Sequence, residues 1–167
     1  MASARGPGGS NIVDYVVTMY IGGALQARKV TVKVPSVSAS IRGLPNGQNY
    51  CFKVAAENAN GQGPKSRFTN CVTVGTPGAP TAPSAVRVTK GSLRVTFVAS
   101  PSNGAPIDTY VAYCYPTSGG RWRAARGKAS PLLVTRLSTG RTYQCQTSAQ
   151  NKWGIGVPSA LSAVVVA

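Results

Sequence analysis

The chain has 167 residues, 43% of them hydrophobic and 13% charged, which is enough apolar material for one large core or two small ones. It contains no histidine and only three acidic residues, Asp14, Glu57 and Asp108, against 18 lysines and arginines, for a net charge of +15. This composition excludes histidine-based catalysis and histidine metal sites, and it leaves too few carboxylates for paired acid–base chemistry.

An enzyme is therefore not expected, and no cofactor or metal is implied. A binding, adhesive or structural protein remains. Residues 1–11, MASARGPGGSN, have no apolar segment of the kind a secretion signal needs. No apolar run is long enough to span a membrane.

The chain repeats itself. NIVDYVVTMY at 11–20 matches PIDTYVAYCY at 106–115, and residues 43–66 match 136–159 at a constant offset of 93. Both units end in a Val- and Thr-rich stretch, at 70–75 and 162–167. The expected organisation is a first unit over 1–76, a Pro-rich extended linker over 77–83 and a second unit over 84–167. Short segments rich in Val, Thr and Tyr, bounded by Gly, Pro, Asn and Ser, predict an all-β fold. In the second unit strands are expected near 85–89, 93–99, 107–115, 121–125, 131–136, 142–150 and 160–166.

Four cysteines, Cys51, Cys71, Cys114 and Cys145, form no Cys-x-x-Cys pair. Two disulfides in an oxidising compartment are the expected state, with four buried free thiols as the alternative.

The second unit resembles a fibronectin type III domain over its full length. APSAVRVT opens with Pro83, and SLRVTF ends in Phe97 where that family usually has tryptophan. NGAPIDTYVAYCY resembles the third strand, and LSTGRTYQCQTSAQNKWGIGVPS the corner, the sixth strand and the loop after it. Tyr143 occupies the corner-tyrosine position, and Tyr50 does so in the first unit. The resemblance implies two tandem immunoglobulin-like β-sandwiches, the first lacking its first two strands. MASAR, at 1–5, falls where the second unit has the end of its second strand. The chain is accordingly expected to be a piece of a longer tandem array. Alternatively, a neighbouring chain donates the missing strands, or the first unit is a smaller, altered sandwich.

Strand parity places the cysteines within that fold. Cys114 shares a face with Tyr110 and Ala112, and Cys145 shares one with Tyr143. The third and sixth strands are neighbours in the resembled fold, so Cys114 and Cys145 face each other in the core. Cys51, between Tyr50 and Phe52, faces outward and would staple to Cys71 on the last strand. Two pairs within domains are expected.

Two clusters are candidate binding sites. GGRWRAARGKAS holds Arg121, Trp122, Arg123, Arg126 and Lys128. On a strand, Arg121 and Arg123 would share one face and meet an anion, with Trp122 turned inward. The alternative is a solvated basic edge. Lys152 and Trp153 sit at the tip of the loop after the sixth strand. There Trp153 either anchors a partner or folds back over the core.

The leading functional expectation is a non-catalytic extracellular binding or spacer module of a larger secreted or surface protein. Its partner would be a protein or an acidic polysaccharide surface. The alternative is a structural component of an assembly, such as a virion or surface layer, docking through its basic surface and its open first sandwich. Nucleic acid ranks last, because the basic residues are dispersed.

Overall fold

The computed structural model describes residues 9–167. It holds thirteen strands and no helix among them, in two units, one ending at Val74 and one spanning Gly75–Ala167.

The first unit is a single five-stranded antiparallel sheet. Strands β1 (Ile12–Ile21) and β2 (Ala24–Lys33) form a hairpin, and β3 (Asn49–Asn58), β4 (Gly61–Gln62) and β5 (Val72–Thr73) complete the sheet. The order is β2-β1-β3-β4, with β5 also paired to β3. The β1–β2 turn is Gly22-Gly23, with φ of 55° and 84°. A two-residue hairpin loop of type I′ needs positive φ at both positions, which glycine adopts without steric cost.

Alternation sorts the side chains. Tyr15, Val17 and Met19 of β1 share a face with Tyr50, Phe52 and Val54 of β3, as the pairings Met19↔Phe52 and Val17↔Val54 show. No second sheet covers that face among the described residues. The expected gap is thus wider than two strands. Residues 39–41, which stand at the same offset from 132–134, form no strand either, having no neighbour to pair with. The assignment of MASAR to a strand end lies outside the described residues.

The second unit closes into a sandwich. One sheet contains β6 (Ser84–Thr89), β7 (Ser92–Thr96) and β10 (Leu132–Val134), in the order β10-β7-β6. The other contains β8 (Ile107–Pro116), β9 (Arg123–Gly127), β11 (Thr142–Asn151), β12 (Gly154–Ile155) and β13 (Val165–Val166). It runs β12-β11-β8-β9, with β13 also paired to β11. Leu93, Val95 and Phe97, with Leu132, Val134 and Leu137, pack in one core with Tyr110, Ala112, Cys114, Tyr143, Cys145 and Ala149.

The corner tyrosines act in both units, with different partners. The Tyr143 hydroxyl accepts the Ser138 backbone N–H at 3.0 Å. In the first unit the matching position is Pro45, which has no N–H. There the Tyr50 hydroxyl turns donor and reaches the Pro45 carbonyl at 2.9 Å.

Both expected cysteine pairs are bonded. Cys145 lies directly opposite Cys114 in the ladder, with Cα atoms 4.1 Å apart. Cys51 joins Cys71 across 4.4 Å between Cα atoms, on the face away from Tyr50.

The last strand of each unit is shorter than expected. Of the predicted 160–166, only Val165–Val166 are strand. Upstream of them, hydroxyl side chains stand in for ladder carbonyls. Ser159 Oγ accepts the Thr147 N–H and Ser162 Oγ the Cys145 N–H, both at 2.9 Å. The N–H groups of Ser159 and Ser162 return bonds to the carbonyls of Thr147 and Cys145. Ser66 and Thr69 do the same for Val54 and Phe52 in the first unit. Such residues offer the backbone a side-chain alternative to the sheet ladder.

The Pro-rich stretch expected as a linker over 77–83 is instead fastened to the second unit. Gly78 N–H bonds the Pro101 carbonyl, and Thr81 Oγ1 accepts the Val98 N–H. Pro77 passes so close to Gly156 that a Cβ there would stand 2.0 Å from its carbonyl oxygen, so only glycine fits. Asn151 ties the same corner. Its Nδ2 bonds the carbonyls of Gly75 and Ser102 at 2.9 and 3.0 Å, and its Oδ1 accepts the Trp153 N–H.

Two outcomes follow for stability. Asn151 is 2% exposed. Asn151→Ala strands two carbonyls and an N–H, and should destabilise the second unit by about 2–3 kcal/mol in urea unfolding. The Cys114→Ala/Cys145→Ala pair removes a closed loop and should cost about 2–4 kcal/mol by the same measurement. An unchanged midpoint in either case would contradict the assigned role.

Candidate aromatic and basic binding face

The candidate residues of the second unit are built on the β8–β9 hairpin and on the loop after β11. In β8, Tyr110, Ala112 and Cys114 point into the core, so Tyr113 and Tyr115 must point out. In β9, Ala125 packs against that core. Arg123 and Gly127 share its parity and are half-buried, while Ala124 and Arg126 face solvent.

This places Trp122 differently from expectation. It was expected inward, opposite an Arg121–Arg123 pair. Instead it lies on the outer side and is 55% exposed. Trp122 shares the parity of the solvent-facing Ala124 and Arg126, opposite to Ala125, which packs against the core. The Trp122 ring meets Tyr113 edge-on, with centroids 5.7 Å apart. Tyr113 stacks with Tyr115 at 6.2 Å and 18° between planes. The three rings form a continuous strip. Across the next strand, Gln146 and Gln144 stand opposite Tyr113 and Tyr115. The Gln146 amide donates to the Tyr115 hydroxyl at 3.2 Å, and the Gln144 amide donates to the Ser162 carbonyl at 3.1 Å.

The basic residues of the cluster divide into two kinds. Arg123 Nε donates to the Arg136 carbonyl at 3.0 Å, and Lys128 Nζ to the Asp108 carbonyl at 2.8 Å. Arg141, outside the predicted cluster, donates from Nη1 to the carbonyls of Ser118 and Gly119 in the turn. These three side chains hold backbone. Arg121 and Arg126 are exposed, and Arg121 lines a shallow groove with Gly120, Trp122, Arg123 and Ala124. Ten of the 18 basic residues fall in 75–167, against one acid, Asp108. Ion pairing therefore cannot neutralise this unit, and the described residues contain one salt bridge, Lys33 to Asp14 at 3.2 Å, in the first unit.

Lys152 and Trp153 form a separate feature. Trp153 is 58% exposed rather than folded over the core, with Lys152 Nζ 4.8 Å from its ring centroid. They follow Asn151 at the end of β11, whereas the β8–β9 turn lies by Thr142 at its start. At about 3.3 Å per residue, the length of the strand separates the two clusters. The structure brings Trp122 together with Tyr113 and Tyr115 and sets Arg121 beside it in the groove, places Arg126 further along β9 across from Val111, and leaves Lys152 and Trp153 apart. The two tyrosines were absent from the sequence-based site, although their parity against Cys114 marks them as outward. No group of three or more Cys, Asp or Glu side chains able to hold a metal ion occurs among the described residues.

The relatives of the chain agree with this architecture. The sequence profile of the fibronectin type III domain matches residues 78–165. Human Roundabout homolog 3 is 30% identical over 89 residues, a match covering 52% of this chain and 6% of that protein. The host cell factor homolog hcf-1 of Caenorhabditis elegans is 31% identical over 108 residues, 65% of this chain and 14% of that protein. The chain thus spans only a small part of these relatives. Among solved structures, domains A168–A170 of titin superpose with a TM-score of 0.54 at 20% identity, over 92% of this chain and 54% of that one, a likeness of fold. The profile covers more than half the length, and the second unit shows the two-sheet sandwich with its corner tyrosine: the chain belongs to the fibronectin type III domain family.

Proposed function

We propose that the chain is a non-catalytic binding and spacer module of a secreted or cell-surface protein. Its second unit holds an acidic partner, a protein or polysaccharide surface, on the outer face of the β9-β8-β11 sheet. One observation carries this reading: exposed Trp122 and Arg121 line one groove, and exposed Arg126 follows on the same outward parity of β9, in a unit with a single acid, Asp108. Aromatic and arginine side chains are the residue types that concentrate binding energy at interfaces. Family membership supports a non-catalytic role, since domains of this family are generally binding and structural modules. The two disulfides support an oxidising, extracellular setting.

The test is retention of the full chain on immobilised heparin and on immobilised polyaspartate. Binding is expected to weaken steadily as salt rises. The Arg121→Glu/Arg126→Glu variant should bind at least tenfold more weakly at about 0.15 M salt, where charges within roughly 8 Å still interact. Unchanged affinity in that variant would defeat the proposal.

A second reading draws on the first unit. Tyr15, Val17, Val32 and Val54 line a groove of about 320 Å³ with Val37, Ser38 and Ala39. In the second unit, Tyr110 and Ala112 stand where Tyr15 and Val17 do, and are packed with Leu93, Val95 and Phe97. The unit would then belong to an assembly and receive strands from a neighbouring chain or an upstream segment. A synthetic hairpin with the sequence of residues 83–98, added to the full chain, should bind one-to-one, and Val17→Glu should abolish binding. Absence of binding by the unaltered chain would rule the reading out.

A further inference from the structure

We propose that the Cys51–Cys71 disulfide is a thiol-exchange site: a dithiol reductant opens it in the folded chain and so releases residues 66–73 from β3.

The two disulfides are of the same type, and burial separates them. Each joins facing residues of neighbouring antiparallel strands. Cys145 faces Cys114 in the β8–β11 ladder. Cys71 continues the register that sets Val72 and Thr73 against Tyr50 and Asn49 of β3. Cys114 and Cys145 are both 0% exposed, inside the core of the second unit. Cys71 is exposed, on the side of the sheet away from Tyr50. Exchange needs contact between a thiolate and a disulfide sulfur, so access decides which bond reacts. Lys53 shares the outward parity of Cys51, two residues further along β3. A positive charge on that face favours both the incoming thiolate and the departing one.

The segment that the bond holds is fastened differently in the two units. Residues 66–73 and 159–166 stand at the repeat offset of 93 and follow β3 and β11 with the same hydroxyl rungs. In the second unit Ser159 and Ser162 are 5% and 4% exposed, so packing shields their bonds from water. Gln144 stands where Cys51 does and adds a hydrogen bond to the Ser162 carbonyl. In the first unit Ser66 and Thr69 are exposed, and β5 contributes two residues. There the covalent bond takes the place of packing. Once it opens, the segment is left with hydrogen bonds for which water competes.

The exchange is a two-electron reduction. A thiolate of the dithiol attacks Cys71 Sγ, and the Cys51 sulfur leaves as a thiolate that takes up a proton. The second thiol of the reductant, on losing its proton, displaces the first sulfur from Cys71. The reductant closes its own disulfide, and the Cys71 sulfur takes up a proton.

Brief treatment of the folded full chain with dithiothreitol, then alkylation and peptide mass spectrometry, reads the exchange. Cys51 and Cys71 should be labelled at least about tenfold faster than Cys114 and Cys145. Amide hydrogen exchange reads the release. The N–H groups of Phe52 and Val54, bonded to Thr69 and Ser66, should lose protection in the reduced chain. Those of Lys53 and Ala55, which by alternation point to β1, should keep it. Cys51→Ala/Cys71→Ala should show the same pattern without reductant, and reoxidation of the reduced chain should reverse it. Labelling of Cys51 and Cys71 no faster than that of Cys114 and Cys145 would overturn the proposal. So would protection at Phe52 and Val54 that survives reduction. Loss of protection throughout β1 and β3 would overturn it too, and make the bond a fixed brace of the unit.

Discussion

A single phenolic hydroxyl fixes the faces of the second unit. Tyr143 is 1% exposed, and its oxygen is bonded to the backbone of Ser138, five residues earlier. That bond commits one side of β11 to the interior, and period-two alternation carries the commitment along the strand to Cys145 and Ala149. Cross-strand register then passes it to β8, where Cys114 must meet Cys145. From there it passes to β9, where Ala125 turns in and Arg126 turns out. The outward aromatic strip is the remainder of the same commitment. A slip of one residue would exchange Tyr113 for Cys114 and bury the proposed binding face. The first unit keeps the constraint with the opposite donor sense, because proline holds the matching position.

This dependence explains what could be read from the sequence. The repeat offset of 93, the corner tyrosines and strand parity were enough to place the long strands of the second unit and, with the strand order that the fibronectin type III resemblance implies, to pair all four cysteines. They were not enough for Trp122, whose direction depends on the register in which β9 pairs with β8. Nor did they give residues 160–164. These look like strand by composition, but Ser159 and Ser162 satisfy β11 with hydroxyls instead of carbonyls. The prolines near 77–83 read as a spacer because proline favours extended chain. Their attachment depends on Asn151 and Gly156, distant in sequence and legible only once the fold brings them near.

The shortage of acids shapes the surface in a second way. With almost no carboxylates available, several basic side chains fasten to backbone carbonyls: Arg123 to Arg136, Lys128 to Asp108, Arg141 to the turn before Trp122. A carbonyl satisfies the donor but leaves the charge in place. The hairpin that carries Trp122 is thereby held on two sides by arginines whose field still extends into solvent. Positioning and attraction come from the same residues.

The hydroxyl rungs have a bearing on how such units live side by side. A sheet edge with a free row of backbone donors and acceptors is a template on which another copy can grow. Along β11 and β3, the groups that would form that row are occupied by the Ser159–Ser162 and Ser66–Thr69 segments, which follow β11 and β3 without continuing as strand. A foreign strand arriving there finds irregular chain with its own hydroxyls turned inward. Units repeated many times in one polypeptide would sit at high local concentration, where fibril growth is a standing hazard. Four hydroxyl groups blunt that edge at the cost of a few residues of regular sheet.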